Sequence, residues 1–117
     1  MKKVSALLLA LSLAVHGSAF AIGAIAVDDE AGDMNAGYGI ATGEDSESSA
    51  KAAAVKICAE SGNKNCKPVV WFKTCGAYAA NTKVYGIGYG DSKNIASSKA
   101  KEACGEASCK VVVADCE

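Results

Sequence analysis

Cysteines and carboxylates are the residues of this 117-residue sequence that could do chemistry. The six cysteines form two clusters: Cys58, Cys66 and Cys75, then Cys104, Cys109 and Cys116. A zinc site would need closely paired cysteines such as C-x-x-C, and no two of these cysteines stand that close. Six cysteines in a short exported chain instead indicate a disulfide framework. We therefore predict three disulfides and no bound metal.

The sequence is poor in the side chains that most enzymes use. Its one histidine, His16, lies near the N-terminus, and the chain has no arginine. It therefore lacks, beyond that point, the commonest general base and the bidentate clamp for phosphate and carboxylate. Asp91, between a glycine-rich strand and a helix, is the carboxylate that would be tested first for a glycosidase-like pair. Helix N-capping explains Asp91 equally well, so we predict no enzymatic activity.

An acidic turn, DDEAGDMNA at 28–36, contains four carboxylates and no basic residue. Its spacing does not match the D-x-D-x-D-G calcium loop, so we expect no metal or cofactor there. A negative protrusion can instead steer a basic protein partner. Tyrosines among glycines offer rigid contact area, although the same glycines would also let helices pack closely on a sheet. The candidate binding residues are Asp28, Asp29, Glu30, Asp33, Tyr38 and Tyr89.

The segment KPVVWFK contains two adjacent aromatic residues, Trp71 and Phe72, between Lys67 and Lys73. These could form an aromatic binding anchor. The segment is apolar at adjacent as well as alternate positions, however, which predicts a central strand covered on both faces. We therefore favour core packing for both aromatic residues.

Residues 1–21 have the pattern of a secretory signal peptide. Lys2 and Lys3 precede an apolar run, and Ala19-Phe20-Ala21 forms a cleavage site of small residues. The run is too short to span a bilayer, so we expect no membrane anchor after cleavage and a periplasmic or secreted location. Residues 22–117 have the length of one domain, with no basic patch that would predict nucleic-acid binding.

Two halves of this domain, residues 22–75 and 76–117, repeat one order of elements. GAIA and YGIATG in the first half correspond to GAYA and YGIGYG in the second, and KPVVW corresponds to KVVVA. Each half reads as a ββαβ unit. We predict an α+β fold with a single antiparallel sheet of about six strands and two helices on one face. The first half has extra residues at the acidic turn, and material that a repeat does not require is a candidate for function.

The repeat also favours one disulfide pairing. In each half, one cysteine ends the helix and another begins the next strand after a tight loop, which favours Cys58–Cys66 and Cys104–Cys109. The remaining pair is Cys75–Cys116, which would tie together the final strands of the two halves.

Taken together, the motifs GAIA, YGIATG, NCKPVVWFKTCGAYA, YGIGYG and KVVVADC resemble the bacterial domain-of-unknown-function family numbered 4189. The resemblance extends from Gly23 to Cys116 and is most specific over 66–77 and 85–91. It implies a short, exported, cysteine-rich protein and carries no activity with it. Family members often have arginines around these motifs, where this chain has only lysines.

These observations predict an exported binding module. We expect an inhibitor or immunity-type protein that blocks a basic enzyme of the cell envelope, because the scaffold is stapled and carries an acidic insertion. A structural or adhesive surface role is the alternative, and a carboxylate-based hydrolase is the third possibility.

Overall fold

A computed structural model describes residues 21–29 and 37–117 of the chain. The predicted signal peptide, apart from Ala21, lies outside the described residues, as does 30–36 of the acidic turn. The elements in order are β1 (Ile22–Asp28), β2 (Gly37–Glu44), α1 (Glu47–Glu60), β3 (Lys67–Phe72), β4 (Cys75–Ala80), β5 (Tyr85–Gly90), α2 (Lys93–Cys104) and β6 (Lys110–Cys116). The order ββαβ therefore occurs twice.

The strands form two antiparallel sheets of three strands each, so the prediction of a single six-stranded sheet was wrong. Their orders are β2-β1-β3 and β5-β4-β6. Helix α1 packs on the first sheet and α2 on the second, while the other faces of the two sheets pack against each other. The helices therefore lie on opposite outer faces, and the layers are helix, sheet, sheet, helix.

The central strands explain why a single sheet would not suffice. Along β1, Ala24 and Ala26 pack against α1, whereas Ile25 and Val27 lie between the sheets. Strand β4 repeats this arrangement with Tyr78 between the sheets. One sheet with both helices on the same face would leave the larger side chains in water, at a cost of about 1.5–3 kcal/mol for each. Stacking the two sheets buries them.

Strand β3 is an edge strand, not the central strand that we predicted. Phe72 is buried between the sheets, where its ring occupies the space that a Cβ at Gly23 or Gly76 would fill. Trp71 points to the other face of the strand and remains 36% exposed. Core packing is therefore right for Phe72 and wrong for Trp71.

Small residues set the distance between each helix and its sheet. The buried helix positions recur every four residues: Ala50, Ala54 and Cys58 in α1, and Ala96, Ala100 and Cys104 in α2. A Cβ at Gly39 would overlap the α1 backbone, and one at Gly86 would overlap the α2 backbone. These glycines are therefore required for close helix packing.

Both helices begin at a serine cap. Ser46 Oγ accepts a hydrogen bond from Ser49 N–H at 3.1 Å, and Ser92 Oγ accepts one from Ile95 N–H at 3.1 Å. Such a cap stabilises a helix by about 1 kcal/mol. The cap of α2 is Ser92 and not Asp91, so the capping role predicted for Asp91 is wrong.

Three disulfides join Cys58 to Cys66, Cys104 to Cys109 and Cys75 to Cys116, which is the pairing that the repeat favours. The first two close the loop that follows each helix. The third joins register partners on β4 and β6, so it ties neighbouring strands of one sheet rather than the final strands of the two halves. Each contributes about 2–4 kcal/mol by restricting the unfolded chain.

Replacing Gly39 with alanine should destabilise the domain by about 1–3 kcal/mol, because the new methyl group would push α1 away from β2. The matched control is Thr42→Ala, an exposed position on the same strand, which should change stability by less than about 0.5 kcal/mol. Urea unfolding followed by circular dichroism measures both. Equal stability of the two variants would contradict close packing at Gly39.

Candidate functional site

A groove of about 830 Å³ lies along the side of the sandwich where β3 and β5, the edge strands of the two sheets, come together. One wall consists of 69–75, from β3 and the turn into β4. The other consists of 89–91 at the end of β5, with Ile95 and Lys99 from α2. Both ββαβ units therefore contribute to the groove.

Large apolar side chains line this groove and remain exposed. Trp71 is 36% exposed, Ile95 44% and Tyr89 59%. Ile95 lies directly over Gly90, where a Cβ would collide with it, so the glycine brings the helix side chain to the groove wall. Exposed apolar residues gathered in one concave surface are typical of a binding site, whereas single ones are ordinary.

Charged residues border the apolar surface. Lys99 Nζ lies 5.9 Å from the centroid of the Tyr89 ring, which is a cation–π contact. Lys73 on the opposite wall is exposed, as is Asp91 at the start of α2. Two lysines and one carboxylate therefore line the groove, which makes it locally cationic in a chain of formal net charge −1.

The repeat shows that these residues are not part of the shared scaffold. Trp71 pairs with Ala24 of β1, and the corresponding strand pair in the second unit places Ala114 beside Ala77. For the helix residues, the counterparts are found by counting back from Cys58 in α1 and from Cys104 in α2. The counterparts of Trp71, Tyr89, Ile95 and Lys99 are Ala114, Thr42, Ser49 and Ala53. At each of these positions the counterpart unit thus has a small or polar side chain.

On the opposite side of the sandwich, a hydrogen bond connects β2 to the residue that follows β6. Gly43 N–H donates a hydrogen bond of 2.8 Å to Glu117 Oε1. Gly43 has a φ of 75° at a register shift between β1 and β2. The pairing of β4 with β5 runs without a shift to Gly90, so the second unit has no equivalent bulge. The bulge therefore distinguishes the β2/β6 side from the side that carries the groove.

Two of the four predicted acidic residues, Asp28 and Asp29, lie among the described residues. Asp28 is only 2% exposed, and its Oδ2 accepts a hydrogen bond of 3.1 Å from Asn65 N–H in the loop after α1. Asp29 is exposed and its Oδ2 lies 3.5 Å from Lys67 Nζ. Glu30 and Asp33 lie outside the described residues. Asp28 thus holds the loop after α1 in place. Contrary to our prediction, it does not face solvent.

The two predicted tyrosines are in different environments. Tyr89 lines the groove, whereas Tyr38 is half-buried with its ring 6.0 Å from that of Tyr78. The Tyr78 ring also meets Tyr85 edge-on at 5.8 Å. Tyr78 Oη is buried without a hydrogen-bond partner among the described residues. Burial, with smaller effects from Tyr85 and Asp29, raises the pKa of Tyr78 to about 12.

Sequence reasoning missed Ile95 and Lys99, and it assigned Trp71 to the core. Each of the two helix residues looks like an ordinary surface position when the helix is considered alone. The signal that could have identified them is the repeat, because it pairs each of them with a small residue in the first unit. Comparing substituted positions, in addition to inserted ones, would have pointed to this side of the molecule.

The fold and the groove define a class of small α+β domain, in which two ββαβ units with three disulfides stack sheet to sheet. The family described as Domain of unknown function (DUF4189) matches residues 22–116, and the chain belongs to this family. The resemblance inferred from the sequence motifs is therefore confirmed. No curated protein and no solved structure matches the sequence.

Fluorescence quenching of Trp71, the one tryptophan of the chain, should report the charge of the groove. Iodide should quench it more strongly than caesium, relative to free N-acetyl-tryptophanamide, because Lys73 and Lys99 attract anions. Lys99→Gln should lower this iodide preference, and added salt should weaken it. Lys56→Gln, an exposed position on α1, is the control and should change nothing. A preference no greater than that of the free compound would contradict a cationic groove.

Replacing Tyr78 with phenylalanine should stabilise the protein near pH 8 by about 1 kcal/mol, since it removes a buried hydroxyl that lacks a partner. The advantage should grow above pH 10. The folded-state pKa of about 12 exceeds the ordinary value of 10.0, so only the unfolded chain ionises between these pH values. The wild-type protein therefore loses stability in this range, and the variant is spared that part of the loss. Urea unfolding near pH 8 and above pH 10 tests this, with Tyr89→Phe as the exposed control. If the stability difference between Tyr78→Phe and the wild-type protein is the same at the two pH values, the prediction is wrong.

Proposed function

We propose that this protein is an exported binding module that contacts its partner through the groove between β3 and β5. The observation that carries the proposal is the set of exposed side chains Trp71, Tyr89 and Ile95 in one concave surface. Trp and Tyr are the residues that most often dominate binding energy at protein interfaces. None of the three is needed to build a ββαβ unit, because the counterpart unit does without them.

Export is part of the proposal. It is supported by the signal-peptide pattern in residues 1–21 and by three disulfides, which are typical of oxidising compartments such as the periplasm. Within residues 21–29 and 37–117, no helix is long and apolar enough to cross a bilayer.

A binding role is favoured over catalysis by the residue types available. The sequence has no histidine after His16 and no arginine. Among the described residues, Asp91 is the one carboxylate that lines the groove, and a glycosidase mechanism requires two. What the groove does offer is a preorganised surface on a stapled scaffold, which reduces the entropy lost on binding.

The partner that we propose is a protein, such as an enzyme of the cell envelope that the module inhibits. The groove is open along its length and bordered by two edge strands, so it has room for a loop or an extended segment. The acidic turn gives this proposal less support than expected, because Asp28 is buried and Asp29 lies beside Lys67.

The test is capture of the partner from envelope fractions with the full chain, expressed with export and purified with its disulfides intact. Trp71→Ala and Tyr89→Ala should each weaken binding of the captured protein by tenfold or more, about 1.4 kcal/mol. Ile57→Ala and Val112→Ala are matched controls, since both residues are exposed and apolar but lie outside the groove.

Three results would overturn the proposal. Binding that is unchanged by both groove variants would show that the partner uses another surface. Recovery of surface polysaccharide alone, with no protein, would favour the adhesive role. Loss of binding in Asp29→Ala but not in Trp71→Ala would return the site to the acidic turn.

A further inference from the structure

We infer that the groove binds an acidic, extended peptide segment, with apolar side chains against the exposed residues Trp71, Tyr89 and Ile95 and carboxylates at Lys73 and Lys99. This inference rests on the proposed function and specifies the chemistry of the partner. It also reverses the charge expected from the acidic turn, which predicted a basic partner.

The two lysines are the first argument. Both are exposed, and neither lies within ion-pair distance of a carboxylate in the part of the chain that the structure describes. Lys99 is positioned over the Tyr89 ring, so its ammonium group lies at the edge of the apolar surface. Lysines placed beside exposed aromatic residues favour a ligand with an anionic group next to an apolar one.

The second argument is the difference between the two sides of the sandwich. By the repeat, the counterparts of Lys73 and Lys99 are Cys116 and Ala53, neither of which is charged. The next residue on that side is Glu117, whose carboxylate accepts the hydrogen bond from Gly43 N–H. On the β2/β6 side, the chain thus supplies its own carboxylate, that of Glu117. On the groove side, the counterpart of Glu117 is Thr74, and the charged side chains nearby include Lys73 and Lys99.

The strand edges are the third argument, and they favour a peptide over other anionic ligands. β3 and β5 each pair on one side only, so backbone N–H and C=O groups face outward along both walls of the groove. An extended segment can add main-chain hydrogen bonds to such an edge while its alternate side chains enter the groove. β5 also carries no charged residue and no proline, the features that usually block an edge against added strands.

The test uses three sets of synthetic nine-residue peptides without tryptophan. All contain a central Leu-Phe pair, and the flanking positions are Asp, Asn or Lys. Binding to the full, exported and oxidised chain is followed by Trp71 fluorescence, which reports the groove directly. Asp-flanked peptides should bind at least tenfold more tightly than Lys-flanked ones, with Asn-flanked peptides between them, and added salt should reduce this difference.

Substitutions connect the preference to the two lysines. The double variant Lys73→Gln, Lys99→Gln should lower the affinity for Asp-flanked peptides to that of Asn-flanked peptides and leave the latter unchanged. Tyr89→Ala should weaken all three sets. Lys64→Gln, an exposed lysine in the loop after α1, is the control. An unchanged thermal midpoint would show that the double variant is folded.

Several outcomes would overturn the inference. Equal or tighter binding of Lys-flanked peptides would do so, as would an Asp preference that survives in the double variant. If peptides bind in a Tyr89-dependent manner without any charge preference, the groove stands as the binding site and the acidic ligand is wrong. If no peptide set binds, or if only an acidic polysaccharide binds, the inference of a peptide ligand is wrong. The capture experiment with Trp71→Ala then decides whether the groove binds a protein at all.

Discussion

The structure depends on one packing constraint. Each central strand packs against a helix on one face and against the other sheet on its second face, and these two interfaces differ in thickness. On one face of β1 and β4, alanines meet a helix whose own buried residues are alanines and a cysteine. On the other face, Ile25, Val27 and Tyr78 meet the opposite sheet around Phe72. Because side chains alternate along a strand, small and large residues can be assigned strictly to the two faces. The helices therefore approach closely while the sheets remain further apart, and neither unit can bury its larger side chains alone.

This stacking also produces the candidate site. Two small sheets placed face to face leave two open sides, each bordered by an edge strand from either sheet. On one side, a bulge at Gly43 brings its N–H to Glu117, and the hydrogen bond connects β2 to the residue after β6. On the other, β5 continues regularly to Gly90, and the groove lies between it and β3. This register shift occurs in one copy of the repeat and not in the other, so it is a backbone difference between the two sides.

The repeat made much of this fold predictable from the sequence. It gave the order of elements and the disulfide pairing, because each depends on local spacing. The number of sheets could not be predicted in this way. Ala24 and Ile25 are both apolar, and a continuous apolar strand does not reveal whether a helix or a second sheet covers each face. Trp71 was misassigned for the same reason. The burial of Asp28 was equally hidden, because its partner is the backbone N–H of Asn65, a group that every residue except proline has and that only the fold brings close.

The two ways in which the halves differ do not carry equal weight as indications of function. Lengthening a connection between two strands costs little, roughly 0.6 kcal/mol for each doubling of its length, so the extra residues in or beside the acidic stretch can persist without any benefit. Keeping Trp71, Tyr89 and Ile95 in contact with water forgoes the stabilisation that their burial would give, and exposed apolar patches also promote aggregation. Ala114, Thr42 and Ser49 show that the same scaffold folds without such residues at the corresponding positions. A feature that brings no stability and could be replaced by smaller residues is better explained by binding, which is why the substituted groove, rather than the inserted turn, is the stronger candidate.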